Sequence, residues 1–124
     1  MRLGFAVAGV LVGALLSGCV PPQKYNWGEY ESSLYGYYRD PTKAAQLTAA
    51  LDAIIQSAEQ TKTFVPPGVY AEYGYLLYQQ GKTADAIVFF QKEKALWPES
   101  AFFMDAMIRN ATDAANRKTG ADKK

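Results

Sequence analysis

One cysteine and no histidine in the whole chain decide most of the chemistry open to it. Cys19 follows Leu16-Ser17-Gly18, where two small residues leave the backbone open to a peptidase and the thiol is a single nucleophilic sulfur available for acylation. A lone cysteine forms neither an internal disulfide nor a thiolate cluster. The absence of histidine removes the commonest general base and the commonest metal ligand. Carboxylates are what remain for acid–base work. Glu72 with Glu93 or Asp105 would be a pair of the kind that hydrolyses glycosides, but no nucleophile and base stand in a recognisable arrangement around them. The expectation is a binding protein and not an enzyme, with no cofactor and no metal.

The segment in front of Cys19 explains why the thiol stands there. Met1-Arg2 supplies a positive charge, and Leu3 to Leu16 is an unbroken run of apolar residues and glycine. That run is shorter than the roughly 20 residues a spanning helix needs, and a basic start with a short apolar core is the layout of a signal peptide, removed in the mature protein. Its end, Leu16-Ser17-Gly18-Cys19, looks like the bacterial lipobox, in which diacylglycerol is attached to the cysteine before cleavage. Acyl chains contribute about 0.8 kcal/mol per buried CH₂ and hold a protein on a bilayer without a membrane-spanning helix. Val20, rather than Asp, follows the cysteine. By resemblance to the sorting rule of enteric-type lipoproteins, that implies the periplasmic face of the outer membrane. Pro21-Pro22-Gln23-Lys24 then reads as an extended tether. The expected boundaries are a signal peptide over 1–18, a lipidated tether over 19–26, a helical domain over 27–116 and a flexible basic tail over 117–124.

The rest of the chain has a globular balance, with 49% hydrophobic and 20% charged residues. Its 13 Lys and Arg against 12 Asp and Glu provide no basic footprint for nucleic acid. Hydrophobic periodicity and breakers mark about five helices. The first runs from about Trp27 to Tyr38 and stops at Asp40-Pro41. The second covers about Thr42 to Gln60, with Leu47, Leu51, Ile54 and Ala58 on one face. A linker ending Pro66-Pro67-Gly68 follows. The third helix spans about Val69 to Gln80 and ends at Gly81, and the fourth runs from about Thr83 to Leu96. The fifth starts near Ser100, a good N-cap, with Phe103, Met107, Ala111 and Ala114 along one side.

All nine tyrosines fall in two clusters, Tyr25 to Tyr38 and Tyr70 to Tyr78. A shift of forty positions aligns Tyr30 with Tyr70, Tyr35 with Tyr75, Tyr38 with Tyr78, Ala44 with Ala84 and Leu47 with Ile87. Such an echo is the mark of a helix-pair repeat. Residues 67–100 resemble one tetratricopeptide repeat. Tyr70 takes its large aromatic place, Gly74 the glycine where the helices approach and Leu77 the next core place. Gly81 falls in the turn, Ala86 at the small contact site, Phe90 at the second aromatic place and Pro98 at the terminating proline. Tyr73 and Glu93 depart from the pattern, where Leu and Ala are usual. The first half matches less well, with Gln46 at the small site, and reads as a divergent repeat. The resemblance implies an all-α fold of antiparallel helix pairs, with the fifth helix as a cap. It also implies a concave surface formed by the first helix of each pair, presenting Ala71, Tyr75, Tyr78 and Gln79 as a partner-binding groove.

The mature chain further resembles a family of uncharacterised outer-membrane lipoproteins with a domain of unknown function. The resemblance is carried by Pro66-Pro67-Gly68, by Ala71-Glu72-Tyr73-Gly74-Tyr75-Leu76-Leu77, and by Glu93 with Trp97-Pro98-Glu99-Ser100-Ala101-Phe102-Phe103-Met104. Members are typically encoded beside a lipoprotein similar to the curli secretion channel. The implied role is an adaptor or scaffold binding other envelope proteins in a secretion or assembly complex. The alternative is a permanent subunit of such a complex. Two residues need structural answers. A carboxylate at the packing position of Glu93 is costly to bury without hydrogen bonds, which predicts a tyrosine hydroxyl or lysine as its partner, or a local shift that exposes it. Trp27 belongs either in the start of the first helix or at the bilayer interface.

Overall fold

A computed structural model describes residues 23–121. The expected signal peptide, Cys19, residues 20–22 and residues 122–124 of the expected tail lie outside the described residues. Those residues form five α-helices with no strand among them: α1 (Tyr30–Arg39), α2 (Ala44–Thr61), α3 (Val69–Gln79), α4 (Thr83–Leu96) and α5 (Ala101–Ala121). The all-α fold class is as the sequence implies. Consecutive helices run antiparallel, and the contacts that show it are local: Gly68 meets Glu93 across α3 and α4, and Lys94 meets Asp105 across α4 and α5.

Helix ends follow the breakers, with three differences. First, α1 starts at Tyr30 and not Trp27. The Asn26 side chain accepts from the Gly28 amide at 3.1 Å, and Gly28 sits at φ +48, a turn that delays the helix. Second, Asp40 does more than end α1. Its Oδ1 accepts from the amide and hydroxyl of Thr42 at 3.0 and 2.6 Å, capping a single 3₁₀ turn (Pro41–Lys43) that leads into α2. Third, α5 does not give way to a tail at Arg117. It continues to Ala121, and Lys118 lies over the Gly81 turn between α3 and α4, lining a shallow hollow with Asp85 and Ala115.

The core has two parts. One joins Leu47, Leu51, Ile54 and Ile55 of α2 to Val65 of the linker and to Val69, Tyr70 and Leu76 of α3. The other joins Leu77 of α3, Ala86 and Phe90 of α4, and Met104 and Ala111 of α5. Gly74 lets α3 and α4 approach. A Cβ placed there would stand 2.9 Å from the Phe90 ring and 3.1 Å from the Ala86 carbonyl oxygen. The first helix pair has no such crossing. Gly36 of α1 meets only the Lys43 side chain at 3.6 Å, α1 has no buried residue, and Gln46 is exposed. The two helix pairs that the forty-residue spacing aligns therefore differ in tightness.

Gly74→Ala should lower stability by about 1–3 kcal/mol, because the methyl group must displace a fully buried ring. Gly120→Ala, with nothing within 4 Å of the added carbon, should leave stability unchanged or raise it by up to about 1 kcal/mol. Urea denaturation of both variants checks the contrast.

Candidate interaction site

Glu93 is 2% exposed, and its partner is neither of the kinds expected. Oε1 accepts from the backbone amide of Gly68 at 2.7 Å. The tyrosine and lysine reading is corrected for a physical reason. The first amides of a helix have no intrahelical acceptor, Gly68 in the left-handed region (φ +86) offers no side-chain cap to α3, and a carboxylate from α4 fills that need while meeting the positive end of the α3 dipole. Burial pushes the Glu93 carboxyl above the ordinary glutamate range; the amides of Gly68, Ala71 and Tyr70 pull it down, and nearby Glu99 pushes it up again. The Tyr70 and Ala71 amides act electrostatically without well-aligned hydrogen bonds, and Oε2 has no partner.

Trp97, at the end of α4, completes the clamp. Its Nε1 donates to the Val65 carbonyl at 3.3 Å, and the Ser100 hydroxyl donates back to the Trp97 carbonyl at 2.7 Å. The end of α4 thus grips both sides of Pro66-Pro67 and fixes where α3 begins. The N-terminal segment joins the same place. Tyr25 packs edge-on against Trp97 (6.1 Å between ring centres) and against Trp27, which stacks on Tyr30 at 5.3 Å. Trp27 is half-buried on the first core cluster. The Tyr30 hydroxyl then donates to Glu72 Oε2 at 2.8 Å, tying α1 to α3; burial, followed by the hydrogen bond to Glu72, pushes the Tyr30 hydroxyl well above the ordinary tyrosine pKa.

This clamp positions an apolar groove of about 490 Å³ between α3 and α5. Ala71 and Tyr75 form one wall, Phe103, Met104 and Met107 the other, and Phe90 of α4 contributes from beneath. Gly68 and Glu72 complete the lining. Tyr75 is 44% and Phe103 61% exposed, so large apolar side chains face solvent here in one patch. Of the four residues expected in the groove, Ala71 and Tyr75 line it. Tyr78 is half-buried against the second core cluster, and Gln79 is exposed at the last position of α3. The α5 wall was missed because Phe103 and Met107 have helical spacing with Ala111 and read as core. The fully buried stripe is Met104 and Ala111, which turns Phe103 outward. A wider hollow of about 700 Å³ between α1 and α2 is lined largely by Ser, Gly and Ala and has no aromatic side chain in its lining.

The three carboxylates considered for acid–base work are held apart in their roles. Glu93 caps α3, Glu72 takes the Tyr30 hydroxyl, and Asp105 Oδ1 pairs with Lys94 Nζ at 2.6 Å on the surface. Among the described residues no group of His, Cys, Asp and Glu is placed to hold a metal ion, and no helix is long and apolar enough to cross a membrane. Compared with known proteins, residues 24–107 match the model of a family described as a domain of unknown function, DUF4810. No curated protein and no solved structure is matched.

Glu93→Gln separates the charge of this residue from its shape. Because the folded carboxyl has a raised pKa, its contribution is fullest below the unfolded glutamate value and is lost as pH rises through the folded one. The native chain should therefore gain stability relative to Glu93→Gln as pH falls from about 8 to about 5, measured as urea midpoints across that range. A difference that does not move with pH contradicts this. Glu93→Ala, which leaves the Gly68 amide without an acceptor, should cost about 1–3 kcal/mol near pH 5 and less as pH rises.

Proposed function

This chain belongs to the DUF4810 family, and we propose that it is a lipid-anchored adaptor of the bacterial envelope, which binds other envelope proteins through the groove between α3 and α5. The observation that supports this reading is the solvent-facing patch of Tyr75 and Phe103 over an apolar groove, on a frame whose carboxylates are occupied in holding helices. Aromatic and methionine side chains supply large contact area and adapt to a partner. Short helical arrays use such surfaces for binding rather than for catalysis.

Cys19 and the Leu16-Ser17-Gly18 that precede it support anchoring by acyl chains, and Val20 supports the periplasmic face of the outer membrane. A lipoprotein similar to the curli secretion channel is the first candidate partner, on the gene neighbourhood of the resembling family. The second reading is a permanent subunit of an oligomeric envelope complex, favoured by Phe102 at 89% exposed, an aromatic ring that no element among the described residues covers.

Two measurements test the proposal. Cys19→Ala should abolish incorporation of radiolabelled fatty acid and move the protein from the membrane to the soluble periplasmic fraction. A photocrosslinking amino acid at Phe103 should yield adducts with defined envelope proteins, which Tyr75→Ala should reduce. Absence of adducts from every exposed position would reject the adaptor.

A further inference from the structure

The groove has a chemical bias that its apolar walls conceal. Glu72 is the one ionisable acid in its lining, and no Lys or Arg lines it. Directly behind Gly68, another lining residue, the Glu93 carboxylate is buried and accepts from the Gly68 amide. Glu72 is therefore the one charge the lining presents. The nearest lysine–acid pair on these helices, Lys94 with Asp105, already satisfies its own charge. A groove with large soft side chains and one sign of charge selects a partner of matching apolar shape and opposite sign.

We propose that the groove receives a cationic amphipathic helix of a partner protein. One or two large aliphatic or aromatic side chains insert between Tyr75, Phe103 and Met107, and a Lys or Arg meets Glu72. The inference rests on the adaptor reading and specifies the partner's chemistry. Glu72 suits the task because its Oε2 is already oriented by the Tyr30 hydroxyl, so a partner's cation meets a carboxylate that gives up little freedom on binding. An acidic segment would meet like charge at the same place, and a wholly apolar occupant would desolvate the Glu72 charge with no cation beside it, only the Tyr30 hydroxyl.

The experiment uses the full-length chain in nonionic detergent and two synthetic helical peptides with the same leucine pattern. One carries lysine and the other glutamate at every remaining charged position. Fluorescence anisotropy should show the lysine peptide binding at least about tenfold more tightly, with affinity falling as salt is raised. Phe103→Ala, at a position 61% exposed, should weaken it about tenfold without altering the thermal melt. Val88→Ala, on the exposed side of α4, should have no effect. Glu72→Lys should invert the preference toward the glutamate peptide. Equal binding of both peptides, equal loss from Val88→Ala and Phe103→Ala, or no inversion with Glu72→Lys overturns the proposal. So does self-association of the chain, or uptake of phospholipid vesicles, that Phe103→Ala abolishes while neither peptide binds. Failure here is distinguishable from failure of the adaptor reading. Adducts to envelope proteins from Val88 but not Tyr75 would leave an adaptor with a different face, whereas peptide selectivity without any envelope adduct would overturn the adaptor alone.

Discussion

The hydrogen bond from the Gly68 amide to Glu93 carries more of this architecture than its single contact suggests. A carboxylate buried to 2% exposure must be compensated by donors or it destabilises the fold, and the donors here are the amides at the start of α3. The arrangement sets the height of α3 against α4. That height brings Gly74 against Phe90 and Ala86, and the crossing in turn seats Phe90 under the groove. Move the α3 start by one residue and the glycine no longer faces the ring.

Much of this was legible in the residues, and what was not has a common cause. Gly74, Ala86, Phe90 and Leu77 announce a tight helix crossing because size is a property of the side chain itself, and the structure places all four in that crossing or its core. The helix ends at Pro41, Gly81 and Pro98 were readable because backbone restriction is local. The Glu93 partner was not, since backbone amides carry no residue signature; only the pairing of a left-handed Gly68 with an acid twenty-five positions later could have suggested it. The α5 wall was misplaced for a different reason. Phe103 and Met104 are adjacent and both apolar, so periodicity allows either to face inward, and the packing of Met104 beside Phe90 decides. Similarly, α2 ends at Lys62 with φ +55, a left-handed position filled by a residue that gives no warning of it.

The two helix pairs show how one pattern supports two degrees of order. The second pair is crossed at a glycine and covered by α5. The first shares the tyrosine spacing but lacks the crossing, so Tyr30, Leu34 and Tyr37 reach the core only in part and α1 depends on side-chain ties, chiefly Tyr30 to Glu72. By the logic of local unfolding, an element with few buried contacts opens at lower cost than its neighbours. The weaker pair is also the one nearest the N-terminal tether.

That placement gives the contact between Tyr25 and Trp97 a mechanical meaning. Tyr25 precedes α1 in the chain, yet its ring rests on the end of α4. A pull along the N-terminal segment is therefore delivered first to Trp97 and the Val65 carbonyl it holds, not to the loosely seated α1. The aromatic contact works as a strain relief, the point where a cable is fastened to its housing before it reaches the delicate connection. Under the proposed anchorage through Cys19, the domain would take such a load on its best-packed pair of helices.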